Sequence, residues 1–510
     1  LKQYKEAAFH YIRAKAFDEL AQIIRIKGIE CIVNSQTGDL AQWISKLPSN
    51  TVETDAWLWF FQTMTRRITG GQKNKKAFSR ALELFSIDKD TRGMILSTAF
   101  VIEAAVFVRQ PSNVILKWID KGQSMLRQRK GSRKYTWARA MLWQQIGLGY
   151  ISGTGDIPLG ISACQNAILL AKGIGNCDLE VNASIVLTLG LVQSGDFTKA
   201  RLMLEKIKGI TGHRPYPEYR ALKRITSLDF ALKQGDFQQA RELLEKSETD
   251  IDRFGLIFLY PGFVEARAGF YAATKDYVQA FHTADHLRDF SILEGNDFYL
   301  GISHRIKALI FMLQDNFKKA LIHARKAVEE LGRISRGDIH LSLARQMLGM
   351  ALYFNQDYQG AKDQLEKALH FFQRTSSDLH YCESIFILGL IAWELKDRNK
   401  ACSCLKQGIE KVRANQYLYF PMINDKTMAK ILVISQLAFQ GKIQVPLRFD
   451  SMSSQLSLDV RSQISKTLNS KLGGQRIAKV AVLQPLYKKA SQLSKSIPWA
   501  SSKYAERTWL

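Results

Sequence analysis

The sequence predicts an all-α solenoid built from pairs of helices that repeat with a period of roughly 40 residues. Three observations predict it. A short pattern recurs at fixed spacing, both flanks of each copy have helical periodicity, and the composition suits long helices, with 46% hydrophobic residues and only 10 prolines in 510 residues. A chain of this length exceeds one ordinary globular core, so an extended repeat accounts for its size.

The recurring pattern is a Gly-Asp-aromatic turn with an alanine three positions later, as in "QGDFQQA". The copies follow one another at an almost constant spacing, and their key small residues are Gly160, Ala200, Ala240, Ala280, Ala320, Ala361 and Ala401. A residue type needed for chemistry would occur once in the chain. Seven copies in register therefore indicate a repeated joint between helices and not a binding loop.

Each copy predicts two helices that meet at this turn. In one copy, the helix before the turn carries a Leu-Gly pair that ends at Gly349. The helix after the turn carries an apolar stripe of Ala361, Leu365 and Ala368. We expect the small residues to lie where the helices cross. We also expect the Asp of each turn to cap the second helix.

These residues together resemble the tetratricopeptide repeat, although the period is longer than the about 34 residues of that family. The resemblance covers residues 145–415 and implies a right-handed solenoid of about seven helix pairs. It also implies that the first helix of each pair lines a groove. Residues 416–442 are predicted to form the capping helix that a solenoid needs.

Residues 1–144 are predicted to be a less regular helical-repeat region. Residues 5–110 resemble the helical region of MalT-like transcription regulators, which are ATP-dependent STAND-type activators. The resemblance is carried by His10, Tyr11, Ala14, Gly38, Leu40, Trp43, Leu47, Pro48, Trp57 and Leu58. In that family an inducer or a partner protein binds the solenoid and releases an autoinhibited ATPase, so the resemblance implies a sensor segment.

The sequence predicts no enzyme, no cofactor and no metal site. It carries no P-loop, no G-x-S-x-G, no H-E-x-x-H and no calcium-loop motif. The six cysteines are sparse and favour a reducing, cytoplasmic setting. Cys382, Cys402 and Cys404, with His380 near, form the only arrangement suggestive of a metal. Their spacing matches no zinc pattern, and core cysteines are the favoured interpretation.

No membrane segment is predicted. The longest apolar run extends only from Gly93 to Val108 and contains Glu103. It is too short for a span and predicts a buried helix.

Counting back from the key alanines gives the side chains expected to line the groove as a ligand or partner site. They are polar or aromatic, as peptide and small-molecule sites require. They are Asn182, Asp229, Glu265, Arg305, Gln346, Tyr353, Glu383, Trp393 and Glu394. The alternative is that they are only the solvated side of each helix. If the prediction holds, replacing Arg305, Tyr353 and Trp393 together abolishes binding and leaves the helical circular dichroism unchanged.

The basic charge is concentrated towards the C-terminus. The formal net charge is +25, and residues 411–510 hold 16 Lys and Arg against four Asp and Glu. Residues 443–510 are predicted to be a basic extension that begins with an extended segment, Ile443–Asp450. Lys488, Lys489 and Lys495 could contact nucleic acid or an acidic partner, whereas a flexible basic linker is the simpler interpretation.

The sequence thus favours a non-catalytic sensing and protein-interaction solenoid, with a protein partner or a small-molecule inducer in its groove. It would belong to a STAND-type signalling or transcription regulator, and the initial Leu1 suggests a piece of a longer protein. Two alternatives remain. One is a scaffold subunit of a multiprotein complex, and the other is a nucleic-acid-binding protein that acts through its basic tail.

Overall fold

The computed structural model describes residues 2–33, 36–67, 72–128, 135–210, 217–334, 338–417 and 419–439. These residues form 23 α-helices, a π-helical segment (Gly149–Thr154) and a short 3₁₀ turn (Ile257–Leu259), and none of them lies in a strand. The chain is an all-α solenoid of tetratricopeptide-like helix pairs, which confirms the predicted fold class. The predicted extension 443–510 and its extended segment lie outside the described residues.

The first nine helices precede the regular repeats. They are α1 (Lys2–Ala14), α2 (Phe17–Val33), α3 (Thr37–Ile44), α4 (Ser49–Thr54), α5 (Ala56–Thr65), α6 (Gln72–Ile87), α7 (Thr91–Phe107), α8 (Ser112–Gln128) and α9 (Thr136–Leu148). Helix α7 contains the long apolar run of the sequence. Every residue from Ile95 to Val106 is buried, Glu103 included, which confirms the predicted buried helix.

The remaining helices alternate as second and first members of the pairs. They are α10 (Ile157–Gly173), α11 (Cys177–Ser194), α12 (Phe197–Gly209), α13 (Pro217–Gln234), α14 (Phe237–Phe254), α15 (Tyr260–Ala273), α16 (Tyr277–Glu294), α17 (Asp297–Leu313), α18 (Phe317–Ile334), α19 (Ile339–Phe354), α20 (Tyr358–Arg374), α21 (Asp378–Glu394), α22 (Arg398–Asn415) and α23 (Asp425–Phe439). We call the odd-numbered helices α11 to α21 the first helices.

The recurring turn works as the sequence predicts. The side chain before each second helix from α10 to α22, an Asp in every copy but Asn316, accepts a hydrogen bond from the main-chain N–H three positions on, as in Asp236 with Gln239 at 3.0 Å. This bond satisfies one of the free N–H groups at the helix start. The key alanines are fully buried. A Cβ atom on Gly349 would lie 2.5 Å from Cγ of Leu365, so only glycine permits this close crossing of α19 and α20.

The chain divides into two compact units, residues 1–387 with 420–422, and residues 388–419 with 423–510. The first unit contains α1 to α20 and most of the hydrophobic core. The described part of the second unit contains α22, α23 and the last turns of α21. The domain boundaries predicted at 144, 415 and 442 stay a prediction.

Candidate functional site

The predicted groove residues differ widely in exposure. Asp229, Glu265 and Trp393 are half-buried and Glu394 is exposed, whereas the buried members are Asn182, Arg305, Gln346, Tyr353 and Glu383. The buried members are therefore occupied by contacts within the chain.

Four of the predicted residues form two pairs, and each pair joins two neighbouring first helices. The Arg305 guanidinium on α17 donates to the carboxylate of Glu265 on α15, one repeat earlier in the sequence. The Gln346 amide on α19 lies 3.4 Å from the Glu383 carboxylate on α21. The same carboxylate accepts a hydrogen bond from the main-chain N–H of Met422 at 2.9 Å. Each of these two polar contacts links one repeat to the next.

Asp229, Trp393 and Glu394 have separate partners, whereas the buried Oδ1 of Asn182 has no hydrogen-bond partner among the described residues. Asp229 accepts from Lys233 at 2.9 Å one turn along α13. In the second unit, the Arg398 guanidinium lies 3.5 Å from the centre of the Trp393 ring, and Lys430 donates to Glu394 at 2.7 Å. Surface pairs of this kind contribute little stability.

The pair of Glu265 and Arg305 belongs to a larger group, which we call the Arg305 cluster: Arg109, Glu265, Arg305 and His340. His340 lies on α19 and packs edge-on against the Phe298 ring with centroids 4.9 Å apart. The Arg109 guanidinium lies 5.3 Å from the centre of the same ring. Arg109 follows α7, so the cluster joins the N-terminal region to three first helices.

Burial and neighbouring charges set the protonation states in this cluster. Burial raises the pKa of the Glu265 carboxyl, but the cations Arg305 and Arg109, together with His340, hold that pKa below its usual value. Burial lowers the pKa of His340 to about 4, against the opposing effect of Glu265. At neutral pH the cluster therefore holds an ionised carboxylate between guanidinium groups, beside a neutral imidazole.

The last residue of α7 and the turn that follows it, residues Phe107–Gln110, supply further contacts to the same helices, and no pattern in the sequence indicated them. The side-chain amide of Asn296 donates to the carbonyl of Val108 at 3.1 Å. The Tyr299 hydroxyl donates to the carbonyl of Phe107 at 3.4 Å. The Phe107 ring contacts Phe258 with centroids 4.4 Å apart. The N-terminal region is thus held by specific main-chain and ring contacts.

A second cluster of charges is more deeply buried, and we call it the Arg67 cluster. Arg67, in the turn after α5, donates to both oxygens of Glu103 on α7 at 2.8 Å each. It also donates to Glu218 at the start of α13. The three side chains are only 13%, 4% and 6% exposed. Gln145 on α9 donates to the Glu103 carboxylate at 3.1 Å.

The Arg67 cluster holds more acceptors than donors. Burial raises the pKa of Glu103, although Arg67 opposes the shift. Burial also opposes the charge of Arg67, yet the two carboxylates raise its pKa. One oxygen each of Gln144, Gln145 and Glu218 is buried without a hydrogen-bond partner in the part of the chain that the structure describes. Such a cluster is costly to expose or to break, because each charge depends on the others.

Residue types alone did not reveal these two clusters. One signal was present, since Glu103 is the single charged side chain in the buried part of α7. Arg67 and Arg109 lie in turns outside the periodic pattern, and only the packing of distant helices gives them partners. Lys488, Lys489 and Lys495, the predicted contacts of the tail, lie outside the described residues.

Two further findings concern the classes of site. Within the described ranges, no group of three or more His, Cys, Asp or Glu side chains is arranged to hold a metal ion. None of the described helices has both the length and the apolar character that a membrane span needs.

Comparison with known proteins gives similarity in fold. No family model and no curated protein matches the chain. Among solved structures, the chain is similar to the STAND protein with a tetratricopeptide repeat sensor from Pyrococcus horikoshii, with 12% identity, a TM-score of 0.35 and coverage of 84% of this chain and 57% of that one. The chain therefore spans little more than half of that protein's length.

Two other solved structures are similar over most of their own length. Yeast Tom70 shows 12% identity, a TM-score of 0.37 and coverage of 86% of this chain and 96% of that one. The APC/C hetero-tetramer Cut9–Hcn1 shows 14% identity, a TM-score of 0.35 and coverage of 91% and 98%. These similarities concern helical-repeat architecture and carry no conclusion about function.

Proposed function

We propose that the chain is a non-catalytic sensing and protein-interaction solenoid that forms part of a STAND-type signalling or transcription regulator. The observation that carries the proposal is the way the N-terminal helices are attached to the first helices. Charged and polar groups contribute to the attachment, through the Arg305 cluster and the Arg67 cluster. A ligand or partner that competes for these groups changes how the N-terminal region is held.

This arrangement suits a sensor for a physical reason. An ionic contact is specific in geometry, and only a group that supplies the same charge and hydrogen bonds can replace its partner without leaving a buried charge unpaired. Apolar packing alone offers no such exchange. A partner bound at the Arg305 cluster would therefore alter the contact of Arg109 with α17, and the change would reach α7 directly.

Capture of a partner from the source organism tests the proposal. We would compare the tagged native chain with the double variant Glu265→Gln/Arg305→Met, which leaves neither partner of the ion pair as an unpaired charge. The matched control is Glu329→Gln/Arg333→Met, which removes an exposed pair on α18 with side chains 58% and 63% exposed. Circular dichroism verifies that all three chains are folded.

We expect the cluster variant to capture at least tenfold less partner or inducer than the native chain. The control variant should capture as much as the native chain. Equal capture by all three chains would contradict the sensing role and favour a scaffold subunit.

The class of regulator has its own test. An in-frame P-loop ATPase module encoded upstream of Leu1 is expected, and a reading frame without one would contradict the STAND assignment.

The excess of basic residues favours nucleic acid as a second candidate partner. Residues 411–510 hold 16 Lys and Arg against four Asp and Glu. If the tail binds nucleic acid, the affinity falls steeply with salt and is lost on deleting residues 443–510. Binding that is unchanged by the deletion would reject this role for the tail.

A further inference from the structure

One side of helix α18 gathers four exposed cations, which we call the α18 basic face. Its members are Lys318, Lys319, Arg325 and Lys326. The two lysines at the start precede the second pair by seven residues, which is close to two turns of an α-helix. The two pairs therefore lie on the same side of the helix, about 10 Å apart along its axis.

No carboxylate pairs with the α18 basic face among the described residues. The two glutamates within reach along the helix, Glu329 and Glu330, both bind Arg333 instead. Several other exposed cations of the second helices do pair with an acid one turn away, as Lys199 does with Asp196 at 2.7 Å. Unpaired like charges on one surface repel each other. Folding by itself therefore gives no reason for gathering them.

The electrostatic surroundings of α18 also favour an anion. Lys318 and Lys319 lie in the first turn of the helix, where the positive end of the helix dipole disfavours a cation. Partial burial, followed by the charges of Lys307 and Lys326, lowers the pKa of His323 on the same helix. Both observations indicate a local field that resists further positive charge, so a negatively charged partner would stabilise this surface.

The form of the surface distinguishes among negatively charged partners. Acidic peptide motifs are held in grooves or by clusters of arginines that make two-point contacts, whereas this face is the exposed side of one helix with one arginine. A helix that binds a membrane surface inserts its apolar face into the lipid. The apolar face of α18 is instead buried within the protein through Ala320, Ala324, Ala327 and Leu331.

A nucleic acid needs only exposed cations that can reach successive phosphates. Proteins that bind single strands also stack the bases on exposed aromatic rings. The ring beside Lys319, that of Phe311, is half-buried and stacks on His323 with centroids 5.4 Å apart. The α18 basic face thus suits the phosphate backbone of a duplex better than the bases of a single strand.

We propose that the α18 basic face binds the phosphate backbone of duplex nucleic acid. Its four cations contact phosphates, and the contact depends on charge and not on base sequence. The site lies on described residues and is separate from the basic tail. The inference rests on the second candidate function only for the kind of partner.

The test removes the four charges and keeps the helix. The variant is Lys318→Gln/Lys319→Gln/Arg325→Gln/Lys326→Gln, because glutamine has a helix propensity close to that of lysine and arginine. Binding of the full chain to a labelled DNA duplex of mixed sequence is measured by fluorescence anisotropy between about 50 and 200 mM salt. The matched control removes four exposed cations that are each paired with a carboxylate: Lys199→Gln/Lys208→Gln/Arg288→Gln/Lys367→Gln. Both variants lose the same net charge.

We expect the logarithm of the native affinity to fall linearly with the logarithm of the salt concentration. Each phosphate contact contributes about 0.9 to this slope, so the α18 variant should reduce its steepness by about 3 to 4 and bind at least about tenfold more weakly at about 100 mM salt. The control variant should keep most of the native slope. Equal losses in the two variants would show that net charge governs binding and would overturn the proposal, as would a native chain that does not bind the duplex at the lowest salt.

Two further measurements identify the partner and the role of the cations. Labelled polyglutamate and vesicles of anionic lipid should bind the native chain more weakly than the duplex does. The opposite order, if the α18 variant removes it, would assign the face to an acidic protein or a membrane and overturn the proposal. Loss of helical circular dichroism in the α18 variant alone would show that the four cations are structural, also against the proposal. The α18 variant retains residues 443–510, so its failure is distinguishable from failure of the tail deletion.

Discussion

Replacing Arg67 by methionine tests whether the buried Arg67 cluster attaches the N-terminal helices to the first helices. The substitution keeps the length of the side chain and removes the only cation that contacts both Glu103 and Glu218 in the described structure. These carboxylates are 4% and 6% exposed, so water cannot replace the guanidinium without opening the structure. Removing one partner of such a buried pair costs about 3–5 kcal/mol.

A matched substitution on the surface sets the scale. Arg333 on α18 also lies beside two glutamates, Glu329 and Glu330, but its side chain is 63% exposed. Exposed pairs contribute about 0–1 kcal/mol, so Arg333→Met is expected to change little. The triple variant Arg67→Met with Glu103→Gln and Glu218→Gln removes the unpaired charges and should regain most of the lost stability.

Hydrogen exchange is the appropriate assay, because a chain of this size is unsuited to a single free energy of unfolding. A local loss of about 3 kcal/mol or more raises the exchange rate by about 100-fold or more. We expect this increase in α7 and at the start of α13 for Arg67→Met, with α20 unchanged. Exchange in α7 that is the same for Arg67→Met and Arg333→Met would refute the reasoning.

Two further predictions concern the Arg305 cluster and the helix crossings. Burial lowers the pKa of His340 to about 4 from its ordinary 6.5, so the folded state favours the neutral imidazole. The stability that the folded state gains from this neutral imidazole is complete above about pH 6.5 and is lost as the pH falls towards 4. Between pH 7 and 5 the free energy of local opening of α19, measured by hydrogen exchange, should fall by about 2 kcal/mol more in the native chain than in His340→Gln, and equal losses would contradict this pKa. Gly349→Ala should cost about 1–3 kcal/mol, because the new Cβ would lie 2.5 Å from Leu365. Gly262→Ala on α15 meets no atom within 4 Å and should be neutral or slightly stabilising, and thermal melts that rank the two variants in the opposite order would disprove the crossing argument.

Much of the repeat architecture was predictable because it depends on local rules. The Asp or Asn of each turn caps the helix that follows it, as Asp236 and Asn316 do, since the bond joins positions three apart. The key alanines, such as Ala240, are buried because a helix crossing admits only a small side chain. Each rule acts within one repeat, so its trace recurs in the sequence and can be counted.

The candidate site was only partly predictable. Counting along the first helices located Glu265, Arg305, Gln346 and Glu383, and the structure pairs them across neighbouring repeats. The count could not show whether such residues face solvent or another part of the chain. For Glu265 and Arg305 that outcome depends on Arg109, which follows α7 in a turn that no periodicity describes.

By itself the sequence determined the fold class, the register of the repeats, the capped turns and the close crossings, because these follow from side-chain size and from hydrogen bonds between near neighbours. Only the tertiary structure decided which charges meet. Arg67 donates a hydrogen bond to Glu218, 151 residues away, and the carbonyl of Val108 accepts one from Asn296, 188 residues away. Such contacts leave no periodic trace in the sequence, because they depend on the summed geometry of all the helices between them.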